Sequence, residues 1–358
     1  MQSMREQSRM RPAFVAGACL RTLGALAACE VCASECPVDA VAPTQHGVEI
    51  TEHCIGCARC VAVCPTGALD SPRNGIPALV RQTAANLPLR IECERVPPAL
   101  RAGNTVEASC LGALGVNELL GLREHAGDAP IDIVDRGWCQ SCPAGGALQP
   151  PGAAARARVA ELCAAMGIAQ RGARLVAQPT PVGKRDDDVT QRRARRAFLG
   201  RLLEPGNSTD SPPATGKDRR RVDFLHRLRR LSVRWNAALP PGAHPAVRIG
   251  EQCCNHGLCA SVCPTAALTE YQEGERSGIE FEAERCIACG ACAVACPEHA
   301  LGVVQARTDA SPPLRERLTA HRTRQCERCD ADFTVAADDQ EYCPACRKDL
   351  GLFEPRAG

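Results

Sequence analysis

Residues 54–65 read CIGCARCVAVCP, so that two, two and three residues separate the four cysteines and proline follows the last. The same spacing returns as CIACGACAVACP at residues 286–297. Such short spacings allow several thiolates to converge on one centre. Proline suits the first turn of a helix, where its missing N–H is not needed. The chain therefore carries one cysteine pattern twice.

The repeat extends beyond these two runs. The segments that follow the fourth cysteines are near-copies of two others, so the series reads CPVDAV at 36–41, CPTGAL at 64–69, CPTAAL at 263–268 and CPEHAL at 296–301. The alternating stretch GVEI at 47–50 precedes the first run, and GIEF at 278–281 precedes the second, as is typical of a strand in a small hairpin. The chain thus contains two copies of one module.

Composition favours metal over disulfides. Cysteine accounts for 25 of the 358 residues and aromatic residues for only 3%, which indicates several small cross-linked modules rather than one large core. The sequence predicts no membrane span and no secretory signal, and therefore a cytoplasmic protein. Thiols stay reduced there, so clustered cysteines are interpreted as metal ligands. The net charge of +2 gives no global attraction to polyanions.

The two complete runs resemble those of the bacterial two-cluster [4Fe–4S] ferredoxin family. The resemblance implies that three cysteines of each run share a cluster with the last cysteine of the preceding group. The implied sets are Cys54, Cys57, Cys60 with Cys36, and Cys286, Cys289, Cys292 with Cys263. It also implies that Cys64 and Cys296 each complete a partner cluster, which makes about four clusters in all.

Both partner clusters depart from the family pattern. In the first module Cys29 and Cys32 match it, but Leu26 stands where the first cysteine belongs. Cys19 lies upstream and could replace the missing ligand.

In the second module Cys253 and Cys259 match the pattern, but His256 stands where the middle cysteine belongs. Three interpretations remain open. His256 is a ligand, which would raise the reduction potential as imidazole does in Rieske centres; or Cys254 replaces it; or the cluster is of the [3Fe–4S] type.

Four more cysteines, Cys93, Cys110, Cys139 and Cys142, lie in a segment with predicted strands at 87–92, 106–109 and 131–134 and a helix at 115–125. This pattern predicts a small α/β domain with a parallel pair of strands, whose carboxyl ends would gather the cysteines at one edge. The segment is loosely similar to thioredoxin-like two-iron ferredoxins and to hydrogenase-associated iron–sulfur subunits. We predict a further iron–sulfur cluster; the alternatives are a redox-active dithiol at Cys139 and Cys142, or structural or zinc-bound cysteines.

Two CxxC pairs close the sequence, Cys326 with Cys329 and Cys343 with Cys346. The pattern resembles zinc ribbons, in which four thiolates hold zinc tetrahedrally and the metal supplies the folding energy. A rubredoxin-like iron site is the alternative.

The segment 179–241 is basic, with predicted amphipathic helices at 189–203 and 219–239. It is interpreted as a solvated linker, a docking helix for an acidic redox partner or membrane surface, or a nucleic-acid contact. The arrangement of twin arginines at 195–196 upstream of the second module resembles that in the accessory ferredoxins of periplasmic nitrate reductase. Those ferredoxins work in the cytoplasm.

The predicted fold class is α+β and multidomain. The predicted domains are an N-terminal dicluster ferredoxin module (1–80), a small α/β domain (81–178), a basic, partly helical linker (179–241), a C-terminal dicluster ferredoxin module (242–310) and a zinc ribbon (311–358).

Phosphate-binding, dinucleotide-binding and hydrolase motifs are absent from the sequence. We therefore predict a polyferredoxin that passes electrons to a redox partner and has no catalytic residues and no evident small-molecule substrate. The alternatives are a cluster-carrying subunit of a larger oxidoreductase, a maturation or docking factor for metalloenzymes and, least favoured, a redox-sensing nucleic-acid-binding protein.

Overall fold

The computed structural model describes residues 11–102, 105–145, 150–179, 216–240, 242–304, 315–335 and 341–351. Its helices are α1 (Val31–Ser34), α2 (Arg59–Val63), α3 (Ile76–Val80), α4 (Val116–Ala126), α5 (Ala153–Ala165), α6 (Arg219–Arg234), α7 (Leu258–Ser261), α8 (Ala291–Ala295) and α9 (Pro344–Asp349). Its strands are β1 (Ala13–Phe14), β2 (Val41–Thr44), β3 (Gly47–Ile50), β4 (Leu69–Asp70), β5 (Leu89–Cys93), β6 (Thr105–Ala108), β7 (Ile131–Asp135), β8 (Arg174–Ala177), β9 (Ala246–Ile249), β10 (Leu268–Glu273), β11 (Arg276–Phe281), β12 (Leu301–Val304), β13 (Glu316–Arg317), β14 (His321–Gln325) and β15 (Asp332–Thr334). This mixture of helices and strands agrees with the predicted α+β class.

The two modules have the same plan. In the N-terminal module β1 pairs with β4 and β2 forms a hairpin with β3. In the C-terminal module β9 pairs with β12 and β10 forms a hairpin with β11. Short helices α1 and α2 occupy the places that α7 and α8 occupy in the second copy. Each module has a small core in which valine and leucine side chains pack directly against cysteines, so little apolar material separates the thiols from the sheet.

The C-terminal sheet continues beyond the ferredoxin hairpin. Strand β11 pairs with β13 and β14, and β14 pairs with β15, so the strand order runs β10-β11-β14-β15. The backbone groups on the free edge of the hairpin are thereby paired. Strands on both sides of the predicted boundary between 310 and 311 therefore belong to one sheet.

The middle domain is a sheet of four parallel strands in the order β6-β5-β7-β8. Its central positions Leu89, Ile91 and Ile133 are almost completely buried, together with Leu119 and Leu122 of α4. The first three strands and α4 lie within two residues of their predicted positions. Strand β8 and helix α5 were not predicted, because β8 is largely exposed and the alanine-rich α5 lacks a continuous apolar stripe.

Helix α6 begins where the basic helix was predicted and ends at Arg234, but it is not a solvated linker. Leu228 and Leu231, three residues apart, are buried in the core of the middle domain. Two of its arginines, Arg227 and Arg230, form ion pairs with Glu124. The other predicted basic helix, at 189–203, lies outside the described residues. No helix in the described part of the chain has both the length and the apolar character that a bilayer crossing requires.

Candidate metal centres

Apart from Cys163, Cys254 and the four cysteines of the C-terminal ribbon, we assign the cysteines to five candidate sites, which we name by letter. Site A is Cys36, Cys54, Cys57 and Cys60; site B is Cys19, Cys29, Cys32 and Cys64; site C is Cys263, Cys286, Cys289 and Cys292; site D is Cys253, Cys259 and Cys296 with His256; site E is Cys93, Cys110, Cys139 and Cys142. Cys163, at 1% exposure, lies in the core of the middle domain and belongs to none of them.

The loops of sites A and C share an unusual backbone. Gly56 and Ala58 have φ values of 68° and 58° on either side of Cys57, and Ala288 and Gly290 have values of 53° and 77° on either side of Cys289. An alanine in this left-handed region is uncommon and requires support from its surroundings. The alternation turns the chain around a common centre, and all four cysteines of site C line one small cavity.

The thiols of site A also influence one another. Burial raises the pKa of Cys60 to about 12, and the charges of Cys57, Cys54, Cys32 and Cys36 add to the shift. A thiol with so high a pKa stays protonated at neutral pH unless a metal ion binds its sulfur and displaces the proton, because metals bind the thiolate. Site A therefore has the donor set and the crowding that a cluster requires.

The upstream cysteine Cys19 lies beside the other thiols of site B. Cys19 lines one cavity together with Cys29, Cys32 and Cys64, just before the 3-10 helix Leu20–Ala27. Burial raises the pKa of Cys32 to about 11, with contributions from Cys64 and Cys29. Cys19 is therefore the available fourth thiol at site B.

Site D repeats the loop geometry around a histidine. Asn255 and Gly257 have φ values of 54° and 67° on either side of His256, as the corresponding residues do around Cys57 and Cys289. Burial raises the pKa of Cys259 to about 11, and Cys253 and Cys296 add to the shift. His256 therefore occupies the position of the missing thiol.

The neighbours of His256 also differ from the repeat. Its Nε2 atom forms a short contact with the carboxylate of Glu298, which stands two residues after Cys296. In two other copies this position is threonine, Thr66 or Thr265, with its hydroxyl 3.7 or 3.8 Å from the preceding cysteine sulfur.

Cys254, the other candidate ligand at site D, is exposed. Its thiol donates to the carbonyl of Gln252 at 3.6 Å.

Backbone amides approach the sulfurs of the Cys-Pro segments. Ala40, Ala267 and Ala300 each donate N–H to the cysteine four residues earlier, at 3.2, 3.2 and 3.3 Å. The acceptors are Cys36, Cys263 and Cys296. Such bonds stabilise thiolates and tune the potential of a cluster that they hold.

Site E lies at the carboxyl edge of the parallel sheet, as the sequence predicts. Cys93 ends β5, Cys110 follows β6, and Cys139 and Cys142 follow β7. Cys93, Cys139 and Cys142 line a cavity of about 200 Å³ with Trp138. Burial raises the pKa of Cys110 to about 12, and Cys93 and Cys139 are among the charges that add to it.

A buried ion pair supports this edge of the sheet. Arg136 donates from Nε and Nη2 to the two carboxylate oxygens of Glu92, both at 3.0 Å, and from Nη2 to the carbonyl of Leu100 at 2.8 Å. The bidentate geometry fixes the segment that leads from β7 to the last two cysteines.

The ribbon thiols of Cys326, Cys329, Cys343 and Cys346 all lie within 4.8 Å of one another. The sulfurs of Cys329 and Cys343 are 3.7 Å apart. Zn–S bonds of about 2.3 Å would place tetrahedral sulfurs about 3.8 Å apart. The amide of Cys343 donates to Cys326 at 3.3 Å and lowers the pKa of that thiol to about 6. The arrangement fits a closed four-thiolate metal site.

Three arginines that connect the units were missed by the sequence analysis. Arg59, inside the cysteine loop of site A, reaches the middle domain, while Arg220 and Arg221 connect α6 to both modules. The role of Arg59 could have been suspected from the sequence, because it is a charged residue between the second and third cysteines of the run.

Comparison with protein families agrees with this geometry. The family model described as a 4Fe-4S binding domain matches residues 48–70 and 279–302, which contain the two complete cysteine runs. A search among curated proteins finds no match. The two matches support an iron–sulfur electron-transfer protein with two ferredoxin-like domains.

Proposed function

We propose that this protein is a polyferredoxin that accepts electrons from one redox protein and delivers them to another. The observation that carries the proposal is that each module brings a second group of ligands together beside its complete cysteine run. An iron–sulfur cluster exchanges one electron at a time, and its potential follows the ligands, the amide hydrogen bonds and the exposure to solvent. A protein with several such sites can hold and pass on more than one electron.

Sites A, B and C are proposed to hold [4Fe–4S] clusters, each with four cysteines. At site D we propose His256 as the fourth ligand beside Cys253, Cys259 and Cys296. The left-handed residues around His256 support this choice, and so does Glu298, because metal-bound histidines commonly donate their other nitrogen to a carboxylate. The exposed position of Cys254 makes it the weaker candidate.

Site E is proposed to hold a fifth iron–sulfur cluster. Four thiols gather at the sheet edge, whereas a dithiol needs only Cys139 and Cys142. The charges of both these cysteines contribute to the raised pKa of Cys93, after burial, which supports one shared site.

The ribbon is proposed to bind zinc in a structural role. The N-terminal module and the middle domain have different core clusters, but Leu79 packs in the middle-domain core and Ala113 in the N-terminal one, so the two proposed units are in close contact. The shared sheet supports a single unit from 242 through the ribbon. We propose a cytoplasmic location, since cysteines that hold iron must stay reduced.

Anaerobic purification of the full chain, with iron, sulfide and zinc analysis, tests the proposal. We expect about five clusters and one zinc per chain from the ligand sets, visible absorbance, and paramagnetic signals on reduction. Iron for two clusters or fewer, with the remaining cysteines titrating as free thiols, would overturn it.

A further inference from the structure

We propose that the five sites form a single unbranched series in the order E, A, B, C, D, so that the two modules and the middle domain act as one electron path. The inference rests on the proposed function and adds the order of the sites and the residues that join the units. Electron tunnelling slows exponentially with distance, so the order of nearest neighbours fixes the path.

The first junction joins site E to site A. Arg59, which lies between Cys57 and Cys60, donates from Nη1 to the carbonyls of Ala144 and Gly145, both at 3.0 Å. The carbonyl of Ala144 also accepts from the thiol of Cys110 at 3.8 Å. One peptide group thus contacts both the loop of site A and a cysteine of site E.

The same junction is closely packed. A Cβ atom added to Gly112, two residues after Cys110, would lie 2.8 Å from the Cγ atom of Arg59. Sites E and A are therefore neighbours.

Short helices join the sites within each module. Helix α2 begins next to Cys60 of site A and ends just before Cys64 of site B. Helix α8 begins before Cys292 of site C and ends just before Cys296 of site D. Each helix is five residues long, so the paired sites lie within about two turns of one another.

The second junction joins the two modules through sites B and C. Leu20, next to Cys19, and Ala291, next to Cys292, form a small buried core at 4% and 0% exposure. Cys29 of site B and Cys289 of site C both pack against it.

Helix α6 holds this junction from outside. Arg220 donates to the carbonyls of Val61 and Ala62 in the N-terminal module, at 2.7 and 3.2 Å. Its neighbour Arg221 donates to His244 at 3.2 Å and to the carbonyl of Ala283 in the C-terminal module at 3.4 Å. Two adjacent side chains therefore connect both modules to the helix that is packed on the middle domain.

The order predicts which sites are magnetic neighbours in the reduced, fully loaded chain. The electron paramagnetic resonance signal of site B is the one that disappears in the Cys19→Ala variant. Emptying site C with Cys289→Ser should abolish the enhancement of electron-spin relaxation that site C gives to site B. Emptying site D with Cys253→Ser is the matched control, and it should leave the relaxation of site B unchanged because the two sites are not adjacent.

A second variant tests the junction without altering a ligand. Arg220→Ala with Arg221→Ala should keep the iron content and weaken the interaction between sites B and C, whereas Arg230→Ala on the same helix should not. Equal effects of emptying sites C and D on site B would overturn the order. Full iron content in the unmodified chain, with electron-spin relaxation in each module independent of the other module, would also overturn the order. Low iron content in the unmodified chain would instead contradict the proposed function.

Discussion

The two ferredoxin-like modules agree at one site and differ at the other. Sites A and C are formed within the repeat, by a complete cysteine run and the preceding Cys-Pro segment. Sites B and D each depend on something outside the pattern. In the proposed assignment, site B takes Cys19 from an upstream segment, whereas site D has a histidine in the loop and Glu298 beside it. The repeat therefore determines one site per module and leaves the other open to change.

The two variable sites also lie in different surroundings. Site B adjoins the buried contact between the modules, where Leu20 and Ala291 are 4% and 0% exposed. At site D the side chain of His256 is 35% exposed. Its loop is tied to the ribbon, because Asn255 donates to the hydroxyls of Ser277 at 3.0 Å and Thr334 at 3.2 Å. A change at site B must preserve the contact between the two modules. A change at site D affects only the last site of the proposed series.

The largest expected effect is at the interior site. Replacing Cys19 with alanine removes a thiol from site B, so we expect the loss of that cluster or its conversion to a three-iron form, which is a loss of about one to four irons per chain. Iron analysis and Mössbauer spectroscopy measure it. Cys163→Ala, which removes a buried cysteine outside every site, is the control and should retain all the iron.

The ribbon gives the next largest effect, and it distinguishes the modules. Cys329→Ser should release zinc and unfold the ribbon, since structural zinc contributes on the order of 10 kcal/mol to such folds. Because Thr334 holds the loop of site D through Asn255, the spectrum of site D should change and that of site B should not. Identical changes at both sites would contradict the assigned contacts.

Changing the histidine should shift a potential without emptying the site. His256→Cys gives site D the ligand set of site C, and we expect its midpoint potential to fall by on the order of 100 mV, because thiolate donates more charge than imidazole. Redox titration followed by electron paramagnetic resonance measures the shift. Cys254→Ala is the control; if it alters site D as strongly, Cys254 is the ligand instead.

The smallest expected effect concerns the carboxylate beside the histidine. Glu298→Thr restores the residue that two other copies carry, so the cluster should remain while its potential rises by less than the change expected from His256→Cys. The loss of a carboxylate partner makes imidazole a weaker donor. Nitrogen hyperfine couplings of the reduced cluster should change as well. An unaltered spectrum would show that Glu298 does not orient His256.

Local patterns in the sequence suffice to propose most of the sites, but they predicted only part of the fold. The cysteine spacings indicated sites A and C, and the strand ends indicated site E, because these depend on short-range geometry. The ladder between β11 and β14 and the contacts of Arg220 join residues far apart in the chain, and no local pattern encodes such a register. Cys19 was a candidate because of its residue type, but only the folded chain brings it to Cys64.

The shared sheet of the C-terminal module has a consequence for biosynthesis. Strands β10 and β11 leave the ribosome before β14, so one backbone edge stays uncovered until that later strand arrives. Open strand edges recruit other chains, and nascent proteins are most exposed to such mispairing. Pairing of the ribbon strands closes that edge, a task separate from binding any metal.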